Sequence, residues 1–356
     1  MLGSAKAKPS NRPSTINHHQ LTIMSDRSVL VRDLGEQGLL SKLQRYCPEN
    51  IVGDDGAILT TDPDKSLVVT TDVLVEEVHF SDRTTTAYDV GWRAAAANLS
   101  DLAAMGATPL GITVGLSLPG DKQVSWVEEL YQGIVGCLNL YQTPLVGGDI
   151  CRSRVVTISI TALGEVYPQR TILRSAARPK DAILVTGLHG LSRGGLELLL
   201  NPKQKSNLNS VEYQRLIKAH QRPLPRLDVL PYLAQIPDEV AIAGMDSSDG
   251  LADAIAQICQ NSNVGASINL SNSMIFAGLI KLAGLEKAKE WLFYGGEDFE
   301  LILCLPFNFA ALLVEKLGHD AAIIGTVTSN KEIKIIEESH SDKLIILNID
   351  KKFQHF

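Results

Sequence analysis

No apolar run in this 356-residue chain approaches the ~18 residues that a membrane-crossing helix requires. No cluster of lysine or arginine stands out either. The formal net charge is −7, and nucleic acid, which needs a basic footprint, is not expected as the main partner. Cysteine is sparse: Cys47, Cys137, Cys151, Cys259 and Cys304 are scattered without a C-x-x-C pair. That usage suits buried thiols in a reducing compartment, and so a cytoplasmic protein, rather than a disulfide frame. Residues 1–25 are polar and acid-free and lack the apolar segment of a secretion signal. Residues 1–26 are therefore expected to be a disordered leader, with Met24 as an alternative start. The phosphate cradles G-x-x-x-x-G-K-[ST] and G-x-G-x-x-G are missing, as are H-E-x-x-H and the D-x-D-x-D-G calcium loop. The missing cradles exclude a P-loop or Rossmann enzyme. No internal repeat is present.

What remains is an ordinary globular composition, 45% hydrophobic and 21% charged, long enough for about two domains at roughly 150 residues each. Leu30, Leu34, Leu39, Leu40 and Leu43 predict a helix between Arg27 and Tyr46. "SLVVTTD" reads as a strand that opens buried at Leu67–Val69, and "YDVGWRAAAANLSDLAAMGATP" as an Ala-rich helix stopped by Gly106 and Pro109. "GITVGLSLP" is a strand, residues 121–140 a helix, "TPLVGGDI" a short strand ending in a Gly-Gly-Asp turn, and "VVTISITALGEV" a long strand. Adjacent strands among the alternating elements make the fold α+β rather than doubly wound. A boundary near Tyr167-Pro168 divides the chain into domains at 27–166 and 167–356. In the second, Leu251, Ile255, Ile258 and Cys259 make a buried helical stripe closed by Gly265.

One device recurs throughout. Apolar strands and Gly-rich turns repeatedly deliver carboxylates: Asp54 and Asp55, Asp72, Asp101, Asp149, Asp246 and Asp249, Glu297 and Asp298. Each alone reads as a turn residue, and Asp249 ahead of "GLADAIAQI" as a helix N-cap. Together they are costly to gather unless cations hold them. Asn98 and Asp101, three apart on one helix, share a face. All candidate ligands, Thr70 and Thr71 included, are hard oxygens, which favours magnesium or calcium over zinc. Magnesium commonly joins a few carboxylates to substrate phosphates, and an acidic site can take a polyphosphate only through such ions.

In this order, "VGDDGAIL", "TTDVLVEEVHF", "WRAAAANLSDLAAMGATP", "LVGGDI", "RSAARPKDAILVTG", "RPLPR", "MDSSDGLADAI" and "YGGEDFEL" resemble the thiamine-monophosphate kinase family of the PurM-like ATP-binding superfamily. The resemblance runs from residue 27 to the end of the chain. It implies a two-domain PurM-like fold, dimeric through its N-terminal domains, with ATP at that interface. It also implies direct transfer of the γ-phosphoryl of ATP to thiamine monophosphate. Carried over by motif, Asp55, Thr70, Thr71, Asp72, Asp101, Asp149, Asp246 and Asp249 would hold several magnesium ions. Gly148, Asp149, Arg174 and Ser248 would contact ATP, and His79, Glu297 and Phe353 would contact thiamine monophosphate. No covalent or general-base residue is implied. The chain departs from the family pattern at Ala176, where glycine is usual, and at Ser247 and Gly56, none of them a predicted ligand.

Rival readings keep the scaffold and change the acceptor. A selenophosphate synthetase would place a cysteine in a Gly-rich loop before the first acidic motif, whereas Cys47 sits in "RYCPENIVGDD". A hydrogenase-maturation dehydratase would end in a reactive cysteine, and this chain ends "KKFQHF". An aminoimidazole-ribonucleotide synthetase would differ at "VEEVHF" and "YGGEDFEL". A non-catalytic nucleotide-binding scaffold would have lost metal carboxylates, and none is lost.

Overall fold

A computed structural model describes residues 29–49, 51–52, 55–271, 274–337 and 344–346. Its first unit contains α1 (Val31–Leu43), β1 (Ser66–Val75), α2 (Ala87–Ala104), β2 (Thr108–Leu118), α3 (Val124–Asn139), β3 (Leu145–Arg152) and β4 (Thr157–Val166). The strands form one sheet in the order β1-β4-β2-β3. Only β2 and β3 run parallel, because α3 supplies the crossover that a parallel pair requires.

Helix α2 lies across one face of this sheet. Thr86 caps it, accepting a bond from the Asp89 N–H at 3.2 Å while Asp89 reaches back to the Thr86 N–H. Its small residues permit an unusually close helix pair. A Cβ at Gly91 would stand 1.9 Å from the Leu130 carbonyl oxygen, and one at Gly133 in α3 would stand 1.9 Å from that of Tyr88.

Among the described residues the opposite face of the sheet is bare, and this corrects the reading of β1 as a strand that opens buried. Leu67 and Val69 are 53% and 57% exposed, because β1 is an edge strand covered on one side only. Thr70, Asp72 and Leu74 point toward α2, and Thr71 and Val73 point outward.

The second unit continues with β5 (Ala182–Val185), α4 (Leu191–Leu200), α5 (Ser210–Gln221), α6 (Leu230–Leu233), β6 (Ala243–Asp246), α7 (Leu251–Ser262) and β7 (Gly265–Leu270). Then come α8 (Ala277–Ala283), α9 (Leu285–Tyr294), β8 (Leu301–Leu305), α10 (Phe307–Leu317), β9 (Ala322–Thr328), β10 (Ile333–Glu337) and β11 (Leu344–Ile346). The described strands order as β11-β10-β7-β9-β5-β8-β6, antiparallel except for β10 beside β7. The fold is α+β. The predicted stripe of α7 is buried as its periodicity demands. The helix closes at Asn263, in the left-handed region, rather than at Gly265. Gly265 instead begins β7, where a Cβ would meet the Asn330 carbonyl oxygen at 1.9 Å.

The "RPLPR" segment ties the two units together. Arg222 donates to the Asp89 carboxylate at 2.6 Å, and Trp92 Nε1 donates to the Pro223 carbonyl at 2.8 Å. The Tyr141 hydroxyl donates to the Pro225 carbonyl at 2.8 Å, and Arg226 reaches into the second unit to Glu300 and the Thr186 carbonyl. One core packs α2 and the smaller sheet against Leu184, Leu301 and Leu303, and a second fills the far face of the larger sheet. Helix α2 is thus fixed along the seam between the sheets, and so are the side chains it carries. Among the described residues no helix is long and apolar enough to cross a membrane.

Candidate active site

A cleft of about 920 Å³ opens along that seam. At one end it gathers Asp72 from β1, Asp101 from α2, and Ser248 and Asp249 from the turn after β6. Thr70 donates its hydroxyl to the Asp101 carboxylate, and Asn98 accepts the backbone N–H of Asp72 at 3.1 Å. The expected shared face of Asn98 and Asp101 is therefore real, with Asn98 holding the strand. Behind them Asp246 is buried and accepts from Ser100 Oγ at 2.7 Å and Ser248 Oγ at 3.1 Å. Asp249 is not the N-cap of α7. Gly250 occupies that position, with no side-chain cap bond.

These carboxylates resist one another's ionisation. Burial pushes Asp101 up to about 6, with the charge of Asp72 adding and the Thr70 hydroxyl and Arg174 opposing. Burial likewise pushes Asp246 up to about 6, helped by Asp101 and Asp249. Asp72 is raised by burial and then by Asp246 and Asp249. Among the described residues no three His, Cys, Asp or Glu side chains form a closed metal cage. The donor set still fits magnesium: hard oxygens around an open cleft, mutually repelling, and able to leave coordination positions to water and phosphate.

At the other end the cleft is bounded by two loops, 76–81 and 295–299. His79 Nδ1 accepts the Val75 N–H at 3.0 Å, which places the ring proton on Nε2. The Glu297 N–H donates to the Ser248 carbonyl at 2.7 Å, stitching this loop to the turn that carries Asp249. Gly296 permits the approach, since a Cβ there would stand 2.6 Å from the same oxygen. Glu77, Glu297 and Phe299 all adopt left-handed backbone, with φ of 66°, 64° and 53°. Three such residues around one cleft are costly backbone that the surrounding structure must hold. The same loop shows where one acidic turn is structural. Asp298 is buried and accepts the N–H groups of Gly190 (2.6 Å) and Ser192 (2.8 Å), anchoring the start of α4.

Other predicted residues lie elsewhere. Asp55, Gly148 and Asp149 line a second pocket of about 440 Å³ with Thr113 and Tyr131. Asp149 does not sit in a turn after β3 but within it, since Gly148 lets β3 run on beside β2. A Cβ at Gly148 would meet the Val114 carbonyl oxygen at 2.2 Å. Asp149 pairs with Gly115 and shares the bare face with Cys151, whose Sγ lies 3.0 Å from Ser117 Oγ. Thr71 faces the same way, 2.8 Å from Thr161 Oγ1. Strands β1 and β3 are three spacings apart, about 14 Å. Within one chain the predicted ligands therefore divide between two places.

Arg174 is exposed at the edge of α7 and donates to Gln257 Oε1 at 2.7 Å. Phe353 lies outside the described residues, as does Asp54. Residue patterns missed Arg93, which lines the cleft while buried, and Tyr131 and His220. Arg93 stands in an otherwise apolar stretch of "WRAAAA", and that lone charge was the available signal.

Comparison with known proteins adds lineage to this geometry. Residues 53–166 match the family model "AIR synthase related protein, N-terminal domain", and residues 164–338 match its C-terminal counterpart. A thiamine-monophosphate kinase of Synechococcus elongatus is 50% identical over 336 residues, covering 94% of this chain and 99% of that protein. The crystal structure of thiamine-monophosphate kinase from Stenotrophomonas maltophilia superposes with a TM-score of 0.71 at 30% identity, over 83% of this chain and 95% of that one. A structure of AaThiL complexed with AMPPCP and TMP gives 0.68 at 31% identity, over 92% and 99%.

Proposed function

The chain belongs to the thiamine-monophosphate kinase family, and from that premise we propose how its cleft serves the reaction. The enzyme is a phosphotransferase with a phosphate as acceptor. ATP and thiamine monophosphate give ADP and thiamine diphosphate, the step that completes the diphosphate. The observation that carries the proposed roles is the two-ended cleft, with repelling carboxylates at Asp72, Asp101 and Asp249 and the Glu297 and His79 loops facing them.

Magnesium ions held by Thr70, Asp72, Asp101, Asp246 and Asp249 would neutralise the phosphate charge that bare carboxylates repel. Arg174 adds a cation near Asp101, and Ser248 presents its backbone and hydroxyl at the same turn. His79 offers Nε2–H toward the acceptor, and Glu297 offers a carboxylate oriented by Arg93. Phe353 would add an aromatic contact to thiamine. No general base is required, because the attacking phosphate oxygen is already anionic.

Asp55, Thr71, Gly148 and Asp149 enter through a second copy of the chain. The bare face carries exposed Leu67, Val69 and Val73, an apolar surface suited to burial in a homodimer. A two-fold axis along the strands of two facing sheets sets β1 of one protomer opposite β3 of its partner. ATP bound at that interface would meet Asp72 and Asp101 from one protomer and Gly148 and Asp149 from the other. We further assign residues 27–166 and 167–356 to two domains behind a leader of 1–26, and a cytoplasmic location.

Purified protein incubated with ATP, magnesium and thiamine monophosphate should yield thiamine diphosphate on chromatography, and none once magnesium is chelated. ATP binding by folded protein without product would overturn the assignment and favour another acceptor or a non-catalytic scaffold.

A further inference from the structure

The described side chain that spans the acceptor end of the cleft is Arg93. It is 2% exposed, in the second turn of α2, on the side of the helix that also bears Ala97 and Asp101. One guanidinium nitrogen donates to the Glu297 carboxylate and the other to the His79 carbonyl oxygen at 3.2 Å. These partners come from different units of the fold, one from the loop after β1 and one from the loop before β8. The nearby acid on its own helix, Asp89, is engaged by Arg222 instead. Both loops held by Arg93 contain the left-handed residues Glu77, Glu297 and Phe299, which cannot keep such backbone without outside support.

We propose that Arg93 is a positioning residue for the acceptor, holding the Glu297 carboxylate and the His79 loop in register with Asp101. This rests on the kinase reading above. Arg93 and Asp101 are eight residues apart on one helix, or about 12 Å along its axis. That rigid spacing sets how far the organic end of the acceptor lies from its reacting phosphate. A planar fork is needed because the two acceptors must be bound at once, which the single ammonium of lysine cannot reproduce. The cation has a second effect on the same wall. With burial as the larger cause, Arg93 and Arg193 hold His220 neutral, down to about 3, so this cleft-lining ring adds no positive charge beside a thiazolium.

Arg93→Lys, Arg93→Met and Glu297→Gln, alone and combined, are compared in steady-state kinetics and in thermal shift with thiamine monophosphate. Arg93→Lys should raise the KM for thiamine monophosphate about tenfold, leaving the KM for ATP unchanged and kcat within about threefold. Adding Glu297→Gln to Arg93→Met should cost less than about twofold more, since the second change removes a group already released. The shift produced by thiamine monophosphate should fall in parallel. Equal losses toward ATP and acceptor, or fully additive effects of Arg93 and Glu297, would overturn the proposal and leave Arg93 a staple between units. Should Arg93→Met fail to fold, Arg93→Lys with Glu297→Gln decides the same question. Wild-type protein without turnover would instead refute the kinase reading.

Discussion

Asp101 holds its proton more tightly than an ordinary aspartate because burial, and then the charge of Asp72, penalise its anion. Its value rises from 3.8 to about 6 in the folded chain. Between those values the folded state binds more protons than the unfolded one, so stability is full below about pH 4 and falls as pH rises through about 6. Asp246 adds to the same trend, and Asp72 in the same direction. Metal-free protein should therefore lose thermal stability between pH 4 and pH 7, and magnesium should restore much of it at the upper end. Asp101→Asn keeps an acceptor for Thr70 and removes one repelling charge. It should stabilise metal-free protein at pH 7 by about 1–2 kcal/mol while abolishing most turnover. A variant less stable than wild type at pH 7 would show that Asp101 is ionised without penalty. Asp72→Asn should likewise lose most turnover in a folded protein, and near-normal activity would remove Asp72 from the proposed metal site.

Elements explain which parts of this were legible in the sequence. The stripe of α7 and the Ala-rich α2 declare themselves because helical periodicity is local and each buries one face or all of it. Of the acidic residues, Asp72, Asp101 and Asp249 meet at one cleft, whereas Asp55 and Asp149 line another pocket and Asp298 anchors a helix, a division not legible in the sequence. Asp72 and Asp149 read as strand ends, yet both lie within strands, paired with Ile160 and Gly115. Burial on one face of β1 also escaped a reading of Leu67–Val69 as core, because an edge strand facing a bare side looks as apolar as an interior one. Arg93 could not be assigned at all, since its two partners lie in loops remote in sequence. The glycines of α2 and α3 show how tightly the element carrying Arg93 and Asp101 is held. Gly91→Ala would drive a methyl to within 1.9 Å of the Leu130 carbonyl oxygen. It should cost about 2–4 kcal/mol in urea unfolding and depress turnover with it. A loss below about 0.5 kcal/mol would mean that α2 can shift without consequence.

At the scale of the whole molecule, the division of predicted ligands between two places is itself informative. Asp72 points toward α2, and Asp149 stands on the bare face about 14 Å away across three strand spacings. On the proposed homodimer, a single nucleotide site that uses both draws them from different protomers. In that case Asp72→Asn and Asp149→Asn, each inactive alone, injure different halves of every site. A mixed dimer then contains one site with both defects and one with neither. Random reassortment of equal amounts makes half the dimers mixed, each with one intact site of two, so activity should return to about a quarter of wild type. Co-expression with two affinity tags, followed by assay of the doubly tagged fraction, reads this directly, and that fraction should show about half of wild-type activity. Mixed dimers as inactive as their parents would place both aspartates in one protomer's site. They would also require β1 and β3 to be brought together by a route other than the facing sheets.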